Sequence, residues 1–201
     1  RDSLDWIERL EAPHVSVYML EIDQDSRLGR EIEGGGPRYG AREVPADDLV
    51  AELYEEAVAR LAGLGICRYE ISNFARPGFE SRHNLGYWRL EPYRGFGADA
   101  HSSDGVCRRS NVETAAQYVE RFRAGRSPLD VVEPADPAHE RFFVGLRQLA
   151  GIEPSPQEWT AFAEPIRRLT LDGLLERAGA RLRLTGRGVL VSNLVFQEFL
   201  P

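Results

Sequence analysis

Apolar and β-branched residues fall in short runs separated by charged stretches. Residues 14–20, His-Val-Ser-Val-Tyr-Met-Leu, predict a buried strand. Residues 23–47 carry Gly34-Gly35-Gly36-Pro37 among many charges and read as a loop. Asp47 or Asp48 then caps a helix running to about Leu64. Leu49, Leu53, Ala57, Leu61 and Leu64 recur at helical spacing and give it one apolar face. Gly65 suits the left-handed position after such a helix. Residues 67–72 form another strand, and strand, helix and strand in that order predict a right-handed βαβ crossover in a parallel sheet.

Residues 73–94 read as an aromatic-rich loop, and 95–102 as a small-residue strand or strand end. Glycine there permits close approach of a ligand or another backbone. Residues 106–110 give a further short strand. Thr114 with Gln117 makes a capping box for a helix to about Ala124, with Ala115, Tyr118, Val119 and Phe122 as its stripe. Gly125 to Pro134 reads as a connector, which sets a domain boundary near residue 127. Beyond it, Asp136-Pro137 starts a helix with Phe142, Phe143, Leu146 and Leu149 inward. Ser155-Pro156-Gln157-Glu158 is a second helix start. Arg181-Leu182-Arg183-Leu184 alternates like a hairpin strand, and Thr185 caps a last helix through about Phe199. This order resembles a winged helix.

The chain has 201 residues, enough for one or two domains. With 42% apolar and 28% charged residues it falls among globular proteins, which excludes a disordered or collagen-like class. No apolar run reaches the ~18 residues of a membrane-spanning helix, and no signal peptide opens the chain; a cytoplasmic location is expected. A net charge of −7 argues against general nucleic-acid binding. All 25 basic residues are arginine, which excludes Schiff-base and P-loop lysine chemistry. Met19 is the only methionine, so a fragment or a processed or trimmed form is expected. Cys67 and Cys107 are the only cysteines. Two thiols cannot hold a four-cysteine zinc site or ligate a four-iron cluster alone, and both are expected to be reduced strand or core residues.

Candidate chemistry concentrates between residues 69 and 102. That stretch holds Tyr69-Glu70-Ile71-Ser72-Asn73-Phe74-Ala75-Arg76-Pro77-Gly78, then His83-Asn84-Leu85-Gly86-Tyr87-Trp88, then Gly95-Phe96-Gly97-Ala98-Asp99-Ala100-His101-Ser102. The run YEISNFARPG…HNxxYW…GxGAxAHS resembles the C-terminal half of the HemW-type haem chaperones. These belong to the oxygen-independent coproporphyrinogen III oxidase-like radical-SAM family. The resemblance extends over roughly residues 14–200. It implies an α/β fold: the C-terminal part of a partial (β/α) barrel with a sheet extension (1–126), then a mostly helical, winged-helix-like domain (127–201). It also implies a [4Fe-4S] cluster and S-adenosylmethionine in the full-length family member. The CxxxCxxC motif that ligates the cluster is absent here, so no cluster ligand is expected in this chain, and the chain alone is expected to be inactive.

The resemblance assigns His83, Asn84, Tyr87 and Trp88 to haem, with His83 as the iron ligand. A neutral imidazole ligates haem iron and the two rings offer flat faces. Read without it, His83 and Asn84 hold a loop while Tyr87 and Trp88 fill core. Ala100 and His101 fall at the expected S-adenosylmethionine pocket, as does Glu21 after the first strand. Asp99 departs from the small residue usual in that turn, and Glu80-Ser81-Arg82 departs from the family's acid-Cys-Arg pattern. Glu70 and Arg76 are expected to pair and shape the loop, whereas His14 and His139 read as structural.

The resulting expectation is a fragment of a radical-SAM haem chaperone, binding haem or a porphyrin for delivery to an apoprotein. The alternative is an oxygen-independent coproporphyrinogen III oxidase, which decarboxylates oxidatively in porphyrin biosynthesis; the HNxxYW box marks the chaperone-like group. A nucleic-acid-binding winged helix is a third reading. Residues 127–201 carry 8 Arg against 10 acids, 8 − 10 = −2, which weighs against it.

Overall fold

The computed structural model describes residues 1–201 and divides the chain into two compact units, Arg1–Glu80 and Ser81–Pro201. The expected boundary position, residue 127, lies inside the second unit. No helix is long and apolar enough to cross a membrane.

The first unit runs α1 (Asp2–Arg9), β1 (His14–Ser16), α2 (Arg27–Glu33), a 3-10 segment (Arg38–Glu43), α3 (Asp47–Gly63), β2 (Cys67–Arg68) and β3 (Asn73–Ala75). The stretch expected to be loop from 23 to 47 thus holds a helix, capped by Ser26, whose side chain accepts the Gly29 N–H. The sheet order is β1-β3-β2, and β3 is antiparallel to both neighbours. The expected parallel crossover is therefore corrected. β1 and β2 share a direction, but β3 lies between them. The cause is local. The buried Glu70 carboxylate accepts the Ser72 N–H at 3.0 Å and the Asn73 side-chain amide. Tyr69 N–H donates to the Asn73 carbonyl at 3.1 Å, so the chain folds straight back after β2. Glu70 is satisfied within this turn, and Arg76 is exposed; the expected Glu70–Arg76 pair does not form.

α3 begins after Ala46, which gives no side-chain cap; Asp47 and Asp48 sit in its first turn, where their charge suits the helix dipole. It buries Tyr54, Ala57 and Leu61, and leaves Leu49 and Leu53 exposed. Strands of two and three residues are too short to cover the whole predicted face. Gly65, at φ +74°, ends the helix as expected.

The second unit opens with α4 (Arg82–Trp88), β4 (His101–Ser103), β5 (Cys107–Asn111), α5 (Ala115–Arg123) and β6 (Leu129–Pro134). The expected connector is β6. It pairs antiparallel with β5 from Cys107↔Pro134 to Asn111↔Leu129, giving the order β4-β5-β6. The Thr114 hydroxyl caps α5 as predicted, but none of the helix's apolar stripe is buried. The helical part follows: α6 (Pro137–Phe143), a 3-10 turn (Gly145–Arg147), α7 (Pro156–Ala161), α8 (Ala163–Leu171), the hairpin β7 (Leu175–Ala178) and β8 (Arg181–Leu184), then α9 (Gly186–Leu190) and α10 (Ser192–Gln197). The capping signals hold. Asp136 accepts the His139 N–H at 3.2 Å, and Ser155 and Glu158 form a complete capping box. The last helix, expected in one piece, breaks at Val191 (φ −121°).

The core of this part is aromatic. Phe142 and Phe199 stack with centroids 4.8 Å apart, and Phe162 lies 4.3 Å from Phe142. β8 alternates exposed and buried, turning Leu182 and Leu184 inward. α9 rests on the strand end so closely that a Cβ on Gly188 would meet the Leu174 carbonyl oxygen at 2.0 Å. Gly188→Ala is therefore expected to cost about 1–3 kcal/mol through overpacking; a denaturant titration of the variant checks it.

Candidate functional site

The HNxxYW box is a helix, not the expected loop. Ser81 caps α4, its hydroxyl accepting the Asn84 N–H at 3.3 Å. Once the segment is helical, each residue turns by about 100°. His83 and Tyr87 share one face, and Asn84 and Trp88 share the next. His83 and Trp88 point about 140° apart. The box therefore does not present its imidazole and its indole to one planar ligand surface.

Both faces have well-defined surroundings. The His83 ring meets Tyr87 edge-on at 4.7 Å, and Tyr87 in turn meets Tyr93 edge-on at 4.6 Å. Tyr93 is held by two backbone hydrogen bonds with Ser103, at 2.9 and 3.0 Å. Trp88 is half-buried: the Arg147 guanidinium lies over its ring at 5.1 Å, and Gln148 donates to its carbonyl at 3.3 Å. The Trp88 indole N–H is buried with no acceptor. Beside these rings opens a cleft of about 750 Å³, lined by Tyr87, Trp88, Tyr93, Arg108, Glu140 and Gln148. His83 lies outside that wall and is exposed.

The other histidines each engage a ring nitrogen. His14 Nε2 is 3.0 Å from the Tyr69 hydroxyl, His101 Nδ1 is 3.0 Å from the Asp99 carbonyl, and His139 Nδ1 is 2.8 Å from the Asp136 carboxylate. The His139 contacts, led by its backbone N–H, hold the Asp136 carboxyl below its ordinary range.

Ala100 and His101 stand where β4 begins, and the Ala100 carbonyl accepts the Asn111 N–H at 3.0 Å. A Cβ on Gly95 would meet the His101 carbonyl oxygen at 2.2 Å, so the close approach the glycines allow here is one of backbone to backbone. Asp99 takes φ +58°, and its N–H donates to the Val112 carbonyl; aspartate is among the side chains that tolerate this region. At the β4–β5 turn, Asp104 accepts the Val106 and Cys107 N–H groups and pairs with Arg109 at 2.8 Å. The backbone donors, first Cys107, hold its carboxyl down to about 2. Glu21 is exposed in the first unit, outside its helices and strands.

Sequence reasoning passed over Arg108 and Glu140. Arg108 Nη2 pairs with the buried Glu140 at 2.9 Å. The partners are 32 positions apart, and the β5–β6 pairing, which ends at Cys107↔Pro134 just before α6, brings them together; no local spacing could have signalled it.

Cys67 and Cys107 are both free thiols, in β2 and β5 and in different compact units. No group of three His, Cys, Asp or Glu side chains is arranged to hold a metal. The residues present do not fit a [4Fe-4S] cluster, which needs at least three ligands here. Reconstitution of this chain with iron and sulfide is expected to leave no stable cluster. Iron and sulfide analysis with visible absorption checks it; about four irons per chain would overturn it.

Residues 132–191 match the HemN C-terminal domain family. Along its length the chain is 37% identical over 190 residues to the heme chaperone HemW of Mycobacterium tuberculosis, covering 93% of this chain and 47% of that protein. It is 32% identical over 203 residues to heme chaperone HemW of Bacillus subtilis, covering 95% and 52%. The chain spans about half the length of the curated relatives it matches. Its fold superposes on coproporphyrinogen III oxidase (HemN) from Escherichia coli, a radical SAM enzyme, with TM-score 0.68 and 18% identity, over 98% of this chain and 50% of that one. The fold class is thus the expected mixed α/β one, built from small sheets and without a closed barrel in this chain.

Proposed function

This chain belongs to the HemW- and HemN-type radical-SAM family, and on that premise we propose that it is the haem-holding half of a HemW-like haem chaperone. One observation carries the reading: His83 is an exposed imidazole on α4 with a tyrosine ring against it, at the head of the HNxxYW box. Haem is cargo here, not a resident group. A chaperone must release what it binds, and a single iron–imidazole bond at an exposed position suits a ligand that is handed on. Tyr87 supports the imidazole and offers an aromatic edge to the macrocycle. Trp88 braces the site from beneath through Arg147 and Gln148.

In the same reading, Ala100 and His101 at the start of β4 are the second unit's contacts for S-adenosylmethionine in the full-length protein, and Glu21 is a cofactor contact of the first unit. Residues 1–126 continue the barrel and its sheet extension, to which β6 adds the last strand, and the rest of 127–201 forms the helical C-terminal domain. The receiving apoprotein docks beside the haem it takes. These residues offer no ligand set for the cluster.

The test is a haem titration of the protein followed by the Soret band. A saturable shift with one haem per chain supports the reading. A spectrum equal to free haem at every ratio refutes it.

A further inference from the structure

We infer that the cleft beside α4 takes the acidic edge of a flat conjugated ligand, with the Arg108 guanidinium as its carboxylate partner. The inference rests on the haem reading above and goes beyond it. It assigns a second contact point, away from the iron, to a residue outside the HNxxYW box.

The cleft has the size of a small-molecule site. Its volume of about 750 Å³ lies within the 300–1,000 Å³ range typical of such sites. Three aromatic side chains line it: Tyr87 and Tyr93, edge-on at 4.6 Å, and Trp88. Arg108 stands opposite Ser103 across the β4–β5 ladder, and Ser103 bridges to Tyr93. The Arg108 backbone is therefore two strand spacings, about 10 Å, from the Tyr93 backbone, and its guanidinium, held by Glu140, lines the same cleft. The placement suits a ligand whose flat body lies on the rings and whose charged rim extends beyond them.

Arg108 also has donors to give. Of its five N–H groups, Nη2 is taken by Glu140, and Nε is buried without an acceptor. Glu140 is itself occupied, because its other oxygen accepts the Asp136 N–H at 3.1 Å. A buried donor without an acceptor is costly, and a planar guanidinium is the side chain best suited to a second carboxylate. The neighbouring cations are less free. Arg141 pairs with Glu158 at 2.9 Å and Arg181 with Glu153 at 2.7 Å. Arg89 is exposed at the end of α4, where water competes for it.

Tyr87 joins the two contact points. One side of its ring meets His83 and it also walls the cleft. A macrocycle lying across Tyr87 would meet an imidazole on the helix face and a guanidinium in the cleft. Haem carries two carboxylates on one rim, so it is a ligand of this kind.

The experiment compares haem with its dimethyl ester, which has the same ring and iron but no acidic rim, both titrated by the Soret band in detergent. The unmodified protein is expected to bind the diacid at least tenfold more tightly. Arg108→Gln is expected to shrink that preference below threefold while the Soret maximum of the complex stays in place. The double variant Arg108→Gln/Glu140→Gln, which strands no buried carboxylate, should behave alike. His83→Ala should move the Soret maximum and keep the preference. Equal affinity for acid and ester in the unmodified protein overturns this inference and leaves the haem reading standing; that comparison needs no variant to fold. No Soret response to either ligand overturns both. Preference lost in Arg89→Gln but kept in Arg108→Gln overturns the assignment to Arg108.

Discussion

Phe142→Ala is expected to destabilise the second unit by about 3–5 kcal/mol, the usual cost of deleting a buried aromatic ring. Phe142 is fully buried on α6 and joins two other rings, Phe199 at 4.8 Å and Phe162 at 4.3 Å. Those rings come from the far end of the chain and from the junction of α7 and α8, so no single helix can move to fill the void. Aromatic pairs add roughly 0.5–1.5 kcal/mol beyond area burial, and this one would be lost as well. A domain with a net stability of about 5–15 kcal/mol loses a large share of it. The melting temperature should fall by more than about 10 °C. The effect should reach the cleft, because α6 also carries Glu140, the partner of Arg108. Thermal melts followed by far-ultraviolet circular dichroism decide it. A loss under about 1 kcal/mol would mean that the three rings are not the core of this unit.

His83→Ala is expected to weaken haem binding tenfold or more, on the order of 1.4 kcal/mol, without loss of fold. His83 is exposed and touches Tyr87 only by its edge, so its removal opens no cavity. Alanine is also the better helix former, and the position is inside α4. Thermal stability should stay within a degree or two. Iron ligation has no such substitute, and the Soret maximum should move towards that of unligated haem. Trp88→Ala should do the reverse. It removes the ring under Arg147 and lowers the melting temperature, with the ligand spectrum of the remaining complex unchanged. His101→Ala is the control for a rival ligand, since its Nδ1 faces the Asp99 carbonyl while the ring stays exposed. A Soret shift lost in His101→Ala and kept in His83→Ala would reassign the iron bond.

The amino-acid sequence was sufficient wherever the signal is local. Thr114, Asp136, Ser155 and Thr185 each cap the helix they were expected to start, because a side-chain oxygen and an N–H two or three residues away need nothing from the rest of the fold. The alternation of residues 181–184 made β8 readable for the same reason, and Gly65 marked the end of α3. The family was legible too, in long runs of particular residues.

What is decided between distant residues was not legible. β3 slips between β1 and β2 because Glu70 and Asn73 tie a tight turn that a β-branched pattern does not encode. β6 looked like a connector because its pairing is supplied by β5, and it stays exposed on both faces. The same gap runs through the site. The spacing of His83 and Trp88 placed both in one haem box, but only the α-helical conformation turns them about 140° apart. Arg108 meets Glu140 because the β5–β6 pairing ends just before α6. Short-range hydrogen bonds are written into neighbouring residues, and the sequence determines them alone. Strand order, helix-face orientation and the ion pair of the cleft depend on which surfaces bury together, and tertiary packing decides those.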